Sequence, residues 1–196
     1  LSAIFWNKLT INGSLSGSHT ETEAFASGVD PYSYAINTSR VIACYDGDDL
    51  FYYDKNGYNY NILNELSNSG NENTAKSLNL NLSARWLLTE SLTLSATLGG
   101  ATSSSFGKTW FAEQSHIISS IRGYEYGEYS VLDDEYKQSP LPYGGMLTVT
   151  ESRNFNYTAR LQAEYVKLFN GVHSVNFVAG LETRSNKYDG FSQTNW

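Results

Sequence analysis

Apolar and polar residues alternate one for one in five segments of this chain. Leu9, Ile11, Gly13, Leu15 and Gly17 alternate with Thr10, Asn12, Ser14, Ser16 and Ser18. Leu78, Leu80, Leu82, Ala84 and Trp86 alternate with Ser77, Asn79, Asn81, Ser83 and Arg85. Leu92, Leu94, Ala96 and Leu98 are set against Thr93, Ser95 and Thr97. The longest row, Phe155, Tyr157, Ala159, Leu161, Ala163 and Tyr165, opposes Asn156, Thr158, Arg160, Gln162 and Glu164. In the fifth, Val175, Phe177, Ala179 and Leu181 oppose Ser174, Asn176 and Glu182, with Val178 and Gly180 interrupting the polar row. Side chains of a strand leave on alternate faces, so each segment reads as a strand with one apolar and one polar face. None fits a helical stripe better. The pattern predicts strands near 7–20, 75–86, 92–103, 152–166 and 173–186.

Alternation alone is shared by soluble β-sandwiches and membrane β-barrels. The connections tip the balance. Two are short, about five residues from Leu87 to Ser91 and about six from Lys167 to Val172, whereas the others run near 21–74 and 104–151. Loops that long are uncommon in compact domains, but short turns on one rim and long loops on the other are the habit of outer-membrane barrels. Charge follows the same division. The two long connections hold 16 of the 20 acidic residues and 5 of the 13 basic ones, leaving them at −11 and the remainder at +4. They also hold 12 of the 15 Tyr. Aromatic rings close the apolar rows, with Trp86 and Tyr165 beside short turns and Phe155 and Tyr157 beside a long loop, as girdles at two membrane interfaces would. Trp6 and Phe169 add to the girdle near the short turns. The apolar rows include many small residues, such as Gly13, Gly17, Ala84, Ala96, Ala159, Ala163 and Ala179, where a sandwich core calls for more bulk.

Composition narrows the picture further. The 196 residues include 15 Tyr, 9 Phe and 4 Trp, with 17% charged residues and only 3 Pro, a mixture suited to strands and turns. A net charge of −7 argues against a nucleic-acid partner, which needs a basic face. Cys44, the single cysteine, has no partner for an internal disulfide. The chain has no run of about 18 apolar residues, so no transmembrane helix is expected, and the apolar start from Leu1 to Trp6 lacks the features of a signal peptide.

Particular stretches are similar to segments of the SusC/RagA-type TonB-dependent transporters of Bacteroidetes. They are Gly28-Val-Asp-Pro-Tyr-Ser-Tyr-Ala-Ile-Asn-Thr-Ser-Arg40 and Tyr58-Asn-Tyr-Asn-Ile-Leu-Asn-Glu65 in the first long loop, and Ser120-Ile-Arg-Gly-Tyr-Glu-Tyr-Gly-Glu-Tyr129 in the second. His173-Ser-Val-Asn-Phe-Val-Ala-Gly-Leu-Glu182 and Arg184-Ser-Asn-Lys-Tyr-Asp-Gly190 follow in the last strand. The resemblance spans most of the chain and is carried by number and order; none of the stretches is a catalytic signature. It implies an all-β fold: about five antiparallel strands of a transmembrane β-barrel of roughly 22 strands with a plugged lumen, carrying long extracellular loops. It implies a multi-pass outer-membrane location, a SusD-like surface lipoprotein as lid, the TonB complex as energy source, and glycans or peptides as cargo. Plug and signal peptide are not recognisable, so residues 1–196 are expected to be an interior portion of the barrel, its first and last strands pairing with others. No enzymatic activity is expected. The alternative is a soluble β-sandwich, a carbohydrate-binding or adhesin module.

The candidate contacts to substrate or lid are Tyr52, Tyr53, Tyr58, Tyr60, Trp110, Tyr124 and Tyr126, whose rings suit stacking on sugars or holding a peptide. Packing of the loops against themselves is the competing role for each. Arg85, Arg160 and Glu164 are expected on the polar, lumen-facing side. Asp46, Asp48 and Asp49 offer oxygens of the kind Ca²⁺ takes, but a solvated acidic loop is the better account, and Asp133-Asp-Glu135 reads alike. His19, His116 and His173 have no ligand-like spacing, so no metal or other cofactor is expected.

Overall fold

The computed structural model describes residues 2–196; Leu1, part of the apolar start, lies outside them. The chain is mostly β, with 61% of residues in strands and 13% in helices. Six strands make one large antiparallel sheet: β1 (Ser2–Phe5), β2 (Leu9–Ala24), then, beyond four short strands, β7 (Ser69–Thr89), β8 (Leu92–Phe111), β9 (Met146–Phe169) and β10 (His173–Asn195). They lie in chain order with β1 and β10 outermost, so among the described residues the sheet is open. All five segments that alternate are strands, each longer than its alternation. The sixth strand corrects the expectation of five. Ser2–Phe5 pairs with Leu9–Asn12, so the first alternating strand has a neighbour within the chain along its opening residues. Its four residues are too few to show a period.

The turns between adjacent strands are tighter than the sequence suggests. Asn170 and Gly171 take φ values of 51° and 69°, and the Val172 N–H donates to the Phe169 carbonyl at 3.1 Å. Paired positive φ values match the right-handed twist of the flanking strands, which is why Asn-Gly serves at such turns. Trp6 and Asn7 adopt the same conformation at φ 50° and 53°, closed by Lys8 N–H to Phe5 C=O at 3.1 Å. Between β7 and β8, the Thr89 hydroxyl accepts from the N–H groups of Ser91 and Leu92.

The chain divides into two compact units. The first takes in the residues up to Thr20, Ala75–Ser105 and Ser152–Gly190, which hold the alternating rows. Its apolar side is open. Leu15, Leu78, Leu80, Leu82, Leu161 and Phe177 are all exposed, Leu161 by 60% and Phe177 by 63%, while Leu92 and Leu94 are half-buried. Gly13 lies under Leu82 and Gly17 under Leu78, with a built Cβ 3.1 and 3.5 Å from those methyls. Two shallow hollows of about 370 and 350 Å³ run over this side, one bounded by Leu78, Leu80, Gly100 and Phe155, the other by Ile11, Ala84, Ala96 and Ala159.

The second unit (Glu21–Thr74, Phe106–Glu151 and Phe191–Trp196) contains every buried apolar side chain found among the described residues. Both long connections are folded. The first carries helix α1 (Pro31–Asn37), a hairpin of β3 (Tyr45–Asp46) and β4 (Asp49–Leu50), a second of β5 (Tyr53–Lys55) and β6 (Tyr58–Tyr60), and helix α2 (Ile62–Ser67). The second carries α3 (His116–Arg122) and α4 (Asp134–Gln138). Ala26, Val29, Tyr60, Ile62, Phe111, Ile118 and Leu141 form one cluster. Asp30 starts α1 by accepting from Tyr32 and Ser33 N–H, with Pro31 fixing φ at the first helical position.

Two glycines of this unit are required by contact: Gly145, where a Cβ would run into the Phe111 backbone carbonyl, and Gly70. A Cβ at Gly70 would run into the Trp110 indole. Gly70→Ala should therefore destabilise the second unit by about 1–3 kcal/mol through overpacking. The cost should shrink in a Trp110→Leu background, read by thermal unfolding of the four-member mutant cycle. Equal costs in both backgrounds would place the constraint elsewhere.

Candidate functional site

The long connections are organised around two buried polar side chains that the sequence reading did not single out. The first is Glu65, 2% exposed. Asn61 caps α2, its Oδ1 accepting from Leu63 and Asn64 N–H, while its Nδ2 donates to the carbonyls of Cys44 and Phe51 at 2.8 and 2.7 Å. One amide thereby ties the helix start to both ends of the acidic hairpin. The helix presents Glu65 to the second connection, where its Oε1 accepts from the backbone N–H of His116 at 2.9 Å and from Asn64 Nδ2 at 3.1 Å. Ser115 stands at the cap position of α3 yet makes no side-chain cap bond, so Glu65 supplies an acceptor to that helix's first turn. His116 Nε2 meets the Lys55 carbonyl at 2.9 Å, and its ring stands edge-on to Tyr60. The Lys55 ammonium lies 3.8 Å above the Tyr60 ring centre. The two connections meet directly where Glu65 accepts from His116 N–H and where His116 meets the Lys55 carbonyl and the Tyr60 ring.

The second anchor is Arg122, 3% exposed. Its Nη2 pairs with Glu113 Oε1 at 3.1 Å and donates to the Gly144 carbonyl, and its Nε donates to the Leu141 carbonyl. Its own carbonyl accepts from Ser139 Oγ at 2.7 Å. A single buried cation thus holds the arm 139–144 against α3.

These anchors decide where the candidate aromatics point. Tyr60 and Tyr124 are interior, 4% and 6% exposed, with Tyr124 donating to the Pro142 carbonyl. Burial, then the nearby Glu65 charge, pushes the Tyr60 hydroxyl up to about 12. Tyr53 and Tyr58 are half-buried, and Tyr53 packs at the edge of the apolar cluster. Trp110 is half-buried on Gly70, beside a cleft of about 440 Å³ shared with Lys108, Met146 and Trp196. Tyr52 and Tyr126 are the two candidates that are exposed, at 42% and 53%. The Tyr52 hydroxyl also donates to Asn64 Oδ1 at 3.3 Å, next to Glu65.

On the polar rows of the sheet, Arg160 and Glu182 pair across adjacent strands at 3.9 Å, and Arg184 pairs with the same carboxylate. Arg160 also donates to Gln162 at 3.0 Å. Arg85 is exposed and Glu164 half-buried. The acidic runs are local devices. Asp46 and Asp49 face one another across the β3–β4 hairpin, whose turn is Gly47-Asp48. Asp133 accepts from Ser130 N–H ahead of α4, and Asp134 and Glu135 occupy the first turn of that helix, where negative charge suits its dipole. No three His, Cys, Asp or Glu side chains converge on a metal position among the described residues.

A capping signature was present at Asn61, an Asn directly before the apolar pair Ile62-Leu63, and it leads to Glu65 one turn on. Arg122 had no comparable local mark. No family model matches the chain, and no curated protein is significantly similar to it.

Burial raises the Glu65 carboxyl above its ordinary value; the His116 and Asn64 donors and the charges of His116 and Lys55 oppose this without cancelling it. The folded state therefore binds the proton more tightly than the unfolded chain does. The contribution is fully present below the unfolded value and is lost as pH rises through the folded one. Glu65→Gln, which keeps an acceptor for His116 without the charge, should remove that pH dependence. Glu65→Ala should cost about 1–3 kcal/mol by stranding the His116 and Asn64 donors. Normalised hydrogen-exchange protection of residues 116–122, measured between pH 4 and 8, checks both; a slope that survives in the Gln variant overturns the assignment.

Proposed function

We propose that residues 1–196 form part of the outer-membrane barrel of a SusC/RagA-type, TonB-dependent importer of glycans or peptides. The observation that carries this reading is the pairing of an apolar sheet side left open by the chain with a polar opposite side. The apolar rows, such as Leu78 to Trp86 and Phe155 to Tyr165, run for 9 and 11 residues, the length a tilted strand needs to cross a bilayer's hydrocarbon. Two features add support. Turns of two or three residues alternate along the chain with the folded connections 25–68 and 112–145. The stretches that resemble the family hold the structural anchors Asp30, Asn61, Glu65 and Arg122.

In this reading, lipid covers the apolar rows, and Arg85, Arg160 and Glu164 line the lumen. The folded connections face the cell exterior and meet substrate and a SusD-like lipoprotein, chiefly through Tyr52 and Tyr126. TonB acts through parts of the protein outside these residues. β1 and β10 pair with further strands, since open edges in lipid leave backbone groups unpaired at several kcal/mol each.

Nitroxide labels on the parent protein in lipid bilayers test this directly, after Cys44→Ser. Labels at Leu80 and Leu161 should be quenched by oxygen and shielded from an aqueous nickel chelate, whereas labels at Asn81 and Thr158 should show the reverse. Leu80 and Leu161 labels that are shielded from both quenchers, in a protein that stays soluble without lipid, would establish the β-sandwich instead.

A further inference from the structure

Three arginines, Arg85, Arg160 and Arg184, stand on the polar rows, against Glu164 and Glu182. Two of the three share one carboxylate. Glu182 Oε2 lies 3.9 Å from Arg160 Nε, and its Oε1 accepts from Arg184 Nε. Arg160 Nη2 donates to Gln162 Oε1. Two guanidinium groups on one carboxylate leave a net charge of +1. Each of these carboxylate contacts is made through Nε, leaving Nη donors of both guanidinium groups outside the pair with Glu182. The floor beside them is low: Gly180 has no side chain, and the nearest atoms to a Cβ there are the Leu161 carbonyl and Gln162 carbons. The arginine side chains are 57% and 72% exposed, and that of Glu182 31%, so the carboxylate is the more sheltered partner.

We propose that Arg160 and Arg184, held by Glu182 and Gln162, form a binding site for the carboxylate group of an anionic solute. A planar guanidinium presents parallel N–H donors that match the two oxygens of a carboxylate, and an ammonium cannot reproduce that fork. Glu182 holds the two cations together, where their mutual repulsion would otherwise drive them apart, and neutralises one of the two charges. The remaining positive charge attracts one carboxylate. The proposal rests on the import reading, in which these rows line the solute's path; the carboxylate would come from a uronic acid of a glycan or from an acidic peptide.

The test is calorimetric binding to the parent protein of a uronic-acid trisaccharide and of triglutamate, each beside its neutral counterpart, galactotriose and triglutamine. The anionic member of at least one pair should bind at least tenfold more tightly than its neutral counterpart, and which one identifies the source. Arg184→Gln should reduce that binding about tenfold or more, the loss expected for a charge-assisted hydrogen bond, with no effect on the neutral compound. Arg184→Lys, which keeps the charge but not the fork, should recover only part of it. Lys187→Gln removes one charge from the same strand on the opposite row and should change nothing. Equal losses for Arg184→Gln and Lys187→Gln would reduce the effect to a general field and overturn the site. So would indifference of the protein to both anionic probes. The lipid-facing labels at Leu80 and Leu161 report the barrel independently, so failure of the anion site with those labels in lipid leaves the import reading standing.

Discussion

Strand geometry sends successive side chains to opposite faces, and β7 to β10 obey it over 21, 20, 24 and 23 residues. Strands that long sort their residues into two rows, which only an inserted residue such as a β-bulge would exchange. One row here is apolar, yet among the described residues every buried apolar side chain belongs to the second unit. The first unit is therefore held by its backbone ladder and by lateral contacts such as Leu82 on Gly13 and the Ser18–Ser77 hydroxyl pair at 2.8 Å. Leaving a Leu or Phe in water forgoes about 1.5–3 kcal/mol of burial per side chain. A side carrying Leu15, Leu161, Phe177 and their neighbours accordingly calls for an apolar covering that the described residues do not supply. That demand, more than any single contact, is what the reading as a membrane wall answers.

The second unit solves a different problem. Long connections lose much conformational entropy on ordering, and the apolar cluster available to offset it is small: Ala26, Val29, Tyr60, Ile62, Phe111, Ile118 and Leu141. Directional bonds do the rest. Asn61 satisfies both its donor and acceptor ends, Glu65 caps a helix of the other connection, and Arg122 reaches two carbonyls and Glu113. Such a network excludes alternatives more sharply than apolar contact does, because a misplaced Glu65 or Arg122 would be a buried charge without partners. Ser115 is the exception. Its hydroxyl is fully buried with no bond, while Glu65 serves the helix it would ordinarily cap.

Much of the sheet was legible because period-two alternation is a local signal: all five rows are strands. Their ends were not, since the alternation fades where a row turns polar, as after Leu181, while the strand runs on to Asn195. Ser2–Phe5 was missed because four residues cannot show a period, and its turn uses Trp6 and Asn7 in a conformation for which Trp is an unusual choice. The loops were read as loops because helices of five to seven residues are set by capping and tertiary contact, leaving no apolar stripe long enough to see. The candidate tyrosines illustrate the limit most clearly. Sequence places Tyr52 and Tyr60 in the same cluster, but only the fold turns Tyr60 inward among Tyr53, His116 and Lys55.

The tight turns bear on the polar rows as much as on the sheet's outline. Asn170 and Gly171 fix the pairing of β9 with β10, and with it the placement of Arg160 opposite Glu182. A slip of one residue in β10 would carry Glu182 and Arg184 to the apolar side and bring Leu181 to the polar one. It would break three arrangements together: the shared carboxylate, the Thr148–Thr194 and Thr150–Ser192 hydroxyl pairs, and the apolar row from Val175 to Leu181. The register is thus specified by the turn and by both faces at once. Polar groups that resemble isolated surface ion pairs, each worth little alone, are held in place by the same constraint that keeps the apolar row continuous.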